Sequence, residues 1–211
     1  MAFAKTLNPG GKGIRCFIAL ELDDSLRRFL GEIISQAARE LPNLRWVDPA
    51  GIHLTLAFLG ELTGEQLAAA ISASEVAAQK ATPFDFRLKG LGVFGSSLQP
   101  RVVWMGVEEQ PSGQVEGSPL QRLHGILNKE LELRGFEVEK RPFSPHLTLA
   151  RVNQRLSPYE QQSLQRLLHS KQAAVYSPMH HVNHLNVMKS ELSRAGAKYT
   201  CLRECTFIKS N

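Results

Sequence analysis

The pentapeptide His-Leu-Thr-Leu-Ala occurs twice in this chain, at 53–57 and at 146–150. Imidazole, with an unperturbed pKa of about 6.5, can act at neutral pH either as proton acceptor or as proton donor. In an extended strand residues i and i+2 share a face. His53 therefore projects with Thr55 and His146 with Thr148, while Leu54, Leu56, Leu147 and Leu149 turn toward a core. Two such pairs around one phosphate supply what phosphoryl transfer needs. One imidazole takes a proton from an attacking water and the other protonates the departing alkoxide, while the two hydroxyls hold the non-bridging oxygens. No metal enters that scheme. Chance recurrence of a pentapeptide has a probability on the order of a few per cent, so the surrounding elements must carry part of the argument.

Those elements repeat as well. The first half reads as a strand at about 14–20, then a helix opening at Asp23/Asp24 with Leu26, Phe29, Leu30, Ile33, Ile34, Ala37 and Leu41 on one face. A strand over 53–59, a helix announced by Thr63-x-x-Gln66 and a strand near 84–93 follow. The second half gives a strand over 101–107, a helix from Ser118-Pro119 that Gly135 ends, and a strand over 146–150. It closes with a helix from Ser157-Pro158-x-Glu160 and a strand near 182–188. His53 and His146 are 93 residues apart, and Thr63 and Ser157 are 94 apart. The order predicts an α+β fold, bilobal and internally duplicated, with mainly antiparallel sheets around a central cleft. Residues 14–211 form one domain in this reading, with lobe halves roughly 14–96 and 97–211 and the boundary near 94–100. The Gly-rich residues 1–13 are expected to be a flexible tail, 108–118 a loop, and the segment from Lys198 onward a further strand or hairpin.

Composition fits an anionic partner. The 211 residues are 43% hydrophobic, enough to fill a core, and 25 Lys and Arg against 20 Asp and Glu give a net charge of +5 and a pI near 9.3. Three cysteines without disulfide-like spacing read as free thiols in a reducing compartment. The opening residues lack the apolar stretch of a secretory signal, and no window approaches a membrane span, so a cytoplasmic, soluble protein is expected.

HLTLAFLG at 53–60 and PHLTLAR at 145–151 resemble the paired His-x-Thr-Leu motifs of the two-histidine (2H) phosphoesterases. Within them the chain is most similar to the bacterial and archaeal RNA 2′,3′-cyclic phosphodiesterases, also called the 2′-5′ RNA ligase family. Arg15-Cys-Phe17, Arg45-Trp46, Arg101-Val-Val-Trp104, Arg141-Pro-Phe143 and Leu192-Ser-x-x-Gly196-x-x-Tyr199 extend the similarity over about 14–207. The resemblance implies hydrolysis of a terminal 2′,3′-cyclic phosphate to a 2′-phosphate, with a reverse reaction that makes 2′-5′ linkages. It implies His53 and His146 as the acid–base pair, leaning toward His146 as base, and Thr55 and Thr148 as phosphate-binding residues. RNA ends or cyclic nucleotides are the implied partners of a monomer without cofactor or metal. A nucleotide or RNA binding module without turnover, or a metal-dependent hydrolase, are the competing readings.

Other residues divide by parity. Arg151 matches phosphate geometry and ends the second motif, but strict alternation turns it away from His146 and Thr148 unless the strand bulges. Phe17 and Phe58 are the aromatics that could stack on a base, and Phe17 is the candidate base contact. Phe58 falls in phase with Leu54 and Leu56 and is expected in the core, and Trp46 and Trp104 are expected to be structural. His180, His181 and His184 match no metal-ligand spacing and read as solvated or strand-face residues. His124 and His169 are assigned no role.

Overall fold

Each helix begins at a side chain that satisfies amides the helix itself leaves without partners, a cap worth about 1 kcal/mol. Asp23 accepts from the Leu26 amide and opens α1 (Asp24–Glu40). Thr63 and Gln66 form a reciprocal capping box at α2 (Gly64–Gln79). Ser118 accepts from the Gln121 amide at the head of α3 (Pro119–Leu133), and Ser157 and Glu160 form a second box at α4 (Pro158–Leu168). The strands are β1 (Ile14–Glu21), β2 (Arg45–Trp46), β3 (His53–Leu62), β4 (Phe84–Ser96), β5 (Gln99–Glu109), β6 (His146–Arg151), β7 (His180–Val182), β8 (His184–Ser193) and β9 (Gly196–Thr206). The computed structural model describes residues 13–96, 99–109, 117–170, 176–193 and 196–208. Residues 1–12 of the expected tail and 110–116 of the expected loop lie outside them.

The strands form two sheets, ordered β3-β1-β8-β9 and β2-β6-β5-β4-β7, and among the described residues every pairing is antiparallel. With four helices this is the expected α+β class. The halves 14–96 and 97–211 do not coincide with the sheets, however. The first half places β1 and β3 in one sheet but β4 in the other, and the second half places β5 and β6 in one but β8 and β9 in the other. Equivalent elements keep equivalent places. β3 and β6 flank β1 and β5 on one side, and β8 and β4 flank them on the other. The segment 94–100 thus joins neighbouring strands of one sheet. The β4–β5 register shifts at Gly95, whose φ of 103° and whose 2.5 Å approach of a would-be Cβ to the Gln99 carbonyl both demand glycine.

The strand expected near 182–188 is two strands. β7 ends at Val182 beside β4, and past Asn183 the chain enters the other sheet as β8 beside β1. The final segment forms β9, in a hairpin with β8.

A single core cluster joins both sheets, drawing Ile18, Leu20 and Leu185 from one and Leu88 and Met105 from the other, with the apolar faces of α1, α2 and α3. The four motif leucines belong to it, at most 4% exposed. Truncating one to alanine would cost about 2–5 kcal/mol. β3 is left at the edge of its sheet, and β6 is covered only by the two-residue β2. The two motif strands approach each other to within 8 Å between Cα atoms. Cys16, Cys201 and Cys205 are free. No helix among the described residues is long and apolar enough to cross a membrane.

Candidate functional site

His53 and His146 each open their strand, and both rings are tied down in the same way. His53 Nδ1 lies 2.9 Å from the Gly51 carbonyl oxygen and His146 Nδ1 lies 2.8 Å from that of Ser144. A carbonyl only accepts, so each Nδ1 donates, and the neutral ring keeps its lone pair on Nε2. Among the described residues neither Nε2 has a hydrogen-bond partner. Each histidine is thereby set to take up or release a proton at Nε2.

Aromatic rings hold the imidazoles in place. Phe17 stacks on His53 at 4.5 Å between centroids, and Tyr199 meets it edge-on at 4.9 Å. Phe94 meets His146 edge-on at 4.6 Å, with Trp104 behind at 6.5 Å. Trp104 in turn lies across Gly92, where a Cβ would come within 2.2 Å of the indole. Burial pushes the His53 pKa below 6.5, against the Gly51 hydrogen bond and the charge of Glu21, its cross-strand neighbour. At pH 7 the ring is mostly neutral.

Thr55 pairs across from Ala19 and Thr148 from Trp104, each on the face of its histidine. Beyond them both strands break step. Ala19 pairs with Thr55 but Ile18 with Ala57, so Leu56 is skipped. Trp104 pairs with Thr148 but Val103 with Ala150, so Leu149 is skipped. A bulge inverts the alternation that follows it. Ala57 and Ala150 therefore turn to the interior, and Phe58 and Arg151 come to the motif face. Phe58 is 73% exposed, 6.3 Å from the ring of Phe17. Its expected place in the core is a misreading that follows from strict alternation. Arg151 is exposed. Phe17 is 3% exposed, covered by His53, Tyr199 and Phe58.

The remaining candidates lie elsewhere. His180, expected to be solvated or on a strand face, is a strand residue of β7 but only 7% exposed, with Nδ1 2.8 Å from Asp23 Oδ2 and Nε2 3.1 Å from the Glu21 carbonyl. His181 pairs with Asp85, and His124 stacks on Phe143 at 3.9 Å. Trp46 donates through Nε1 to the Leu41 carbonyl and packs against the core. A cavity of about 620 Å³ beside Arg155, Ser157 and Glu160 lies at the head of α4 and contains none of the motif residues. Among the described residues no three His, Cys, Asp or Glu side chains are grouped to hold a metal ion. Sequence reasoning weighed Phe58 but set it in the core, and missed Phe94 and Tyr199. For Tyr199 the signal was present in the Gly196-x-x-Tyr199 pattern.

A duplicated α+β scaffold with one His-x-Thr pair on each of two neighbouring strands is the plan of a phosphoesterase. The family model of LigT-like phosphoesterases matches residues 20–104 and 114–199, and the chain belongs to this family. It is 31% identical over 196 residues to the RNA 2′,3′-cyclic phosphodiesterase of Thermotoga maritima, covering 92% of this chain and 96% of the relative. It is 33% identical over 151 residues, 72% of the chain, to that of Geobacillus stearothermophilus, a longer protein of which the match spans 46%. Among solved structures, Escherichia coli LigT complexed with 3′-AMP superposes with a TM-score of 0.67 at 26% identity, covering 93% of this chain and 99% of that one.

Proposed function

We propose that this protein hydrolyses a 2′,3′-cyclic phosphodiester at an RNA end to a 2′-phosphomonoester, by acid–base catalysis between His53 and His146 and without a metal. The observation that carries this reading is the matched anchoring of the two rings, which leaves Nε2 of each unpartnered on strands that approach one another.

One Nε2 removes a proton from water as its oxygen attacks phosphorus. The P–O3′ bond breaks, and the other imidazole, protonated, delivers its proton to O3′. The product carries a 2′-phosphate and a free 3′-hydroxyl. Thr55, Thr148 and Arg151 hold the non-bridging oxygens, where charge must be stabilised during transfer. His146 acts as base and His53 as acid in this assignment. The low pKa of free His53 then requires the bound anionic phosphate, helped by Glu21, to stabilise its protonated form. Phe58 stacks on the base of the terminal nucleoside, with Phe17 supporting it from behind and fixing His53. Attack by an RNA 5′-hydroxyl in place of water yields a 2′-5′ linkage by the same route. The names of the relatives and the 3′-AMP held by E. coli LigT support a nucleotide substrate.

Product analysis tests this directly. A short RNA ending in a 2′,3′-cyclic phosphate is expected to give a 2′-phosphate at a rate that EDTA does not change. A 3′-phosphate product, or binding without turnover, would contradict the proposal.

A further inference from the structure

Arg45 and Arg151 are cross-strand partners on β2 and β6. Like charges directly opposite each other repel. Among the described residues neither guanidinium has an ion pair or a side-chain hydrogen bond. Some other arginines are neutralised, Arg87 by Glu108, Arg134 by Glu130, Arg141 by Glu139 and Arg203 by Glu75, and what sets Arg45 and Arg151 apart from the remaining unpaired ones is that they face each other across a strand pair. Cross-strand partners share a face, so the bulge that turns Arg151 to the motif face fixes Arg45 there too. β2 is pinned just past that register, by Trp46 Nε1 on the Leu41 carbonyl at 3.0 Å and by the Val47 amide on the Leu149 carbonyl at 2.8 Å. The fold thus holds two exposed cations together with no counter-ion of their own.

We propose that Arg45 binds an internucleotide phosphate of the RNA strand, the one joining the terminal nucleoside to its 5′ neighbour. This residue would thereby distinguish an RNA end from a free nucleoside cyclic phosphate. The proposal rests on the phosphodiesterase reading above. Arg151, on the strand that carries His146 and Thr148, serves the reacting phosphate. Arg45 is displaced by one strand spacing of about 4.8 Å and meets a second anion. A guanidinium binds phosphate with two parallel hydrogen bonds. The repulsion between the two cations is relieved most fully when RNA places an anion at each.

The test compares wild type, Arg45→Gln and Arg45→Lys on two substrates: a nucleoside 2′,3′-cyclic phosphate, which has no second phosphate, and a short RNA with the same terminus. Arg45→Gln is expected to raise KM for the RNA about tenfold with kcat nearly unchanged. It should also reduce the salt slope of kcat/KM for RNA by about one, leave the nucleoside substrate unaffected and not lower the melting temperature. Arg45→Lys should restore part of the RNA affinity. Equal losses on both substrates, or no loss on RNA, would overturn the proposal. If wild-type protein turned over neither substrate, the phosphodiesterase reading would itself fail and take this one with it.

Discussion

Phe58 and Arg151 stand at the same point of the two repeats, five residues beyond His53 and His146, and each owes its exposure to a residue skipped in the strand before it. The repeats are therefore alike in what they offer for proton transfer and different in what they offer for recognition. A ring stands on the motif face in one repeat and a cation in the other. Phe58→Ala is expected to raise KM for nucleotide substrates about tenfold, the scale of one lost base–aromatic stack. Its melting temperature should not change, because a ring 73% exposed contributes little to the core. A large drop in melting temperature would return Phe58 to a structural role.

Acid–base catalysis by a positioned side chain contributes about 10²–10⁴-fold. His53→Ala and His146→Ala should each lose at least that much in kcat, and the double mutant little more, because the two act as a unit. Thr55→Ala and Thr148→Ala should lose about 10²-fold each. Steady-state rates on a cyclic nucleotide measure all five variants, and wild-type rates in both histidine mutants would dispose of the mechanism.

Burial lowers the His53 pKa, so in the free protein its ring should titrate below 6.5 in ¹⁵N NMR spectra and move upward when inorganic phosphate is bound. A free-state midpoint above 6.5 would contradict the geometry. Stability is linked to the same shift. A folded pKa below the unfolded one gives stability that is present above the unfolded value and lost as pH falls through the folded one. Urea midpoints at pH 7.5 and 5.5 should therefore lie closer together in His53→Gln than in wild type.

Gly92 exists for Trp104. A methyl group at 92 displaces the indole that stands behind His146, so Gly92→Ala is expected to lower kcat severalfold and to destabilise the fold by about 1–3 kcal/mol. Kinetics together with near-ultraviolet circular dichroism of the tryptophan check both effects. Unchanged spectra would show that the indole tolerates the methyl group.

Asp23 caps α1 with one oxygen and holds His180 with the other. Burial opposes its ionisation, but the hydrogen bonds from His180, Ser25 and the Leu26 amide outweigh it and bring its pKa down to about 2. Its contribution is present above the unfolded pKa near 3.8 and is lost as pH falls toward 2. Asp23→Ala should cost about 2 kcal/mol at pH 7 through the lost cap and the orphaned His180 nitrogen, as read by urea unfolding. A loss below about 0.5 kcal/mol would show that water replaces the carboxylate at both contacts.

What the amino-acid sequence reveals here is what local periodicity encodes. The motif leucines, the apolar face of α1 and the capping residues Asp23, Thr63, Ser118 and Ser157 are all set by neighbours a few residues away. The bulges at Leu56 and Leu149 are not, because a leucine is equally apolar whether or not its partner strand skips it. Phe58 was misread and Arg151 left open for that single reason. Asn183 marks no visible break in an alternating run, yet the chain changes sheets there, since partners more than 90 residues away decide where β7 and β8 pair. The burial of His180 is invisible locally because Asp23, 157 residues distant, is what receives it.

The crossing of β4 and β8 into each other's sheets has a consequence for how such a molecule arises. A lone half-length chain would lack a strand in its own sheet and carry one with nowhere to pair. Two identical copies, trading those strands, would close both sheets at once and bring two identical His-x-Thr motifs together across a two-fold axis. The present chain has the architecture of such a domain-swapped dimer joined into one polypeptide. Within one polypeptide the two copies are free of that symmetry, and the equivalent positions hold phenylalanine in one and arginine in the other.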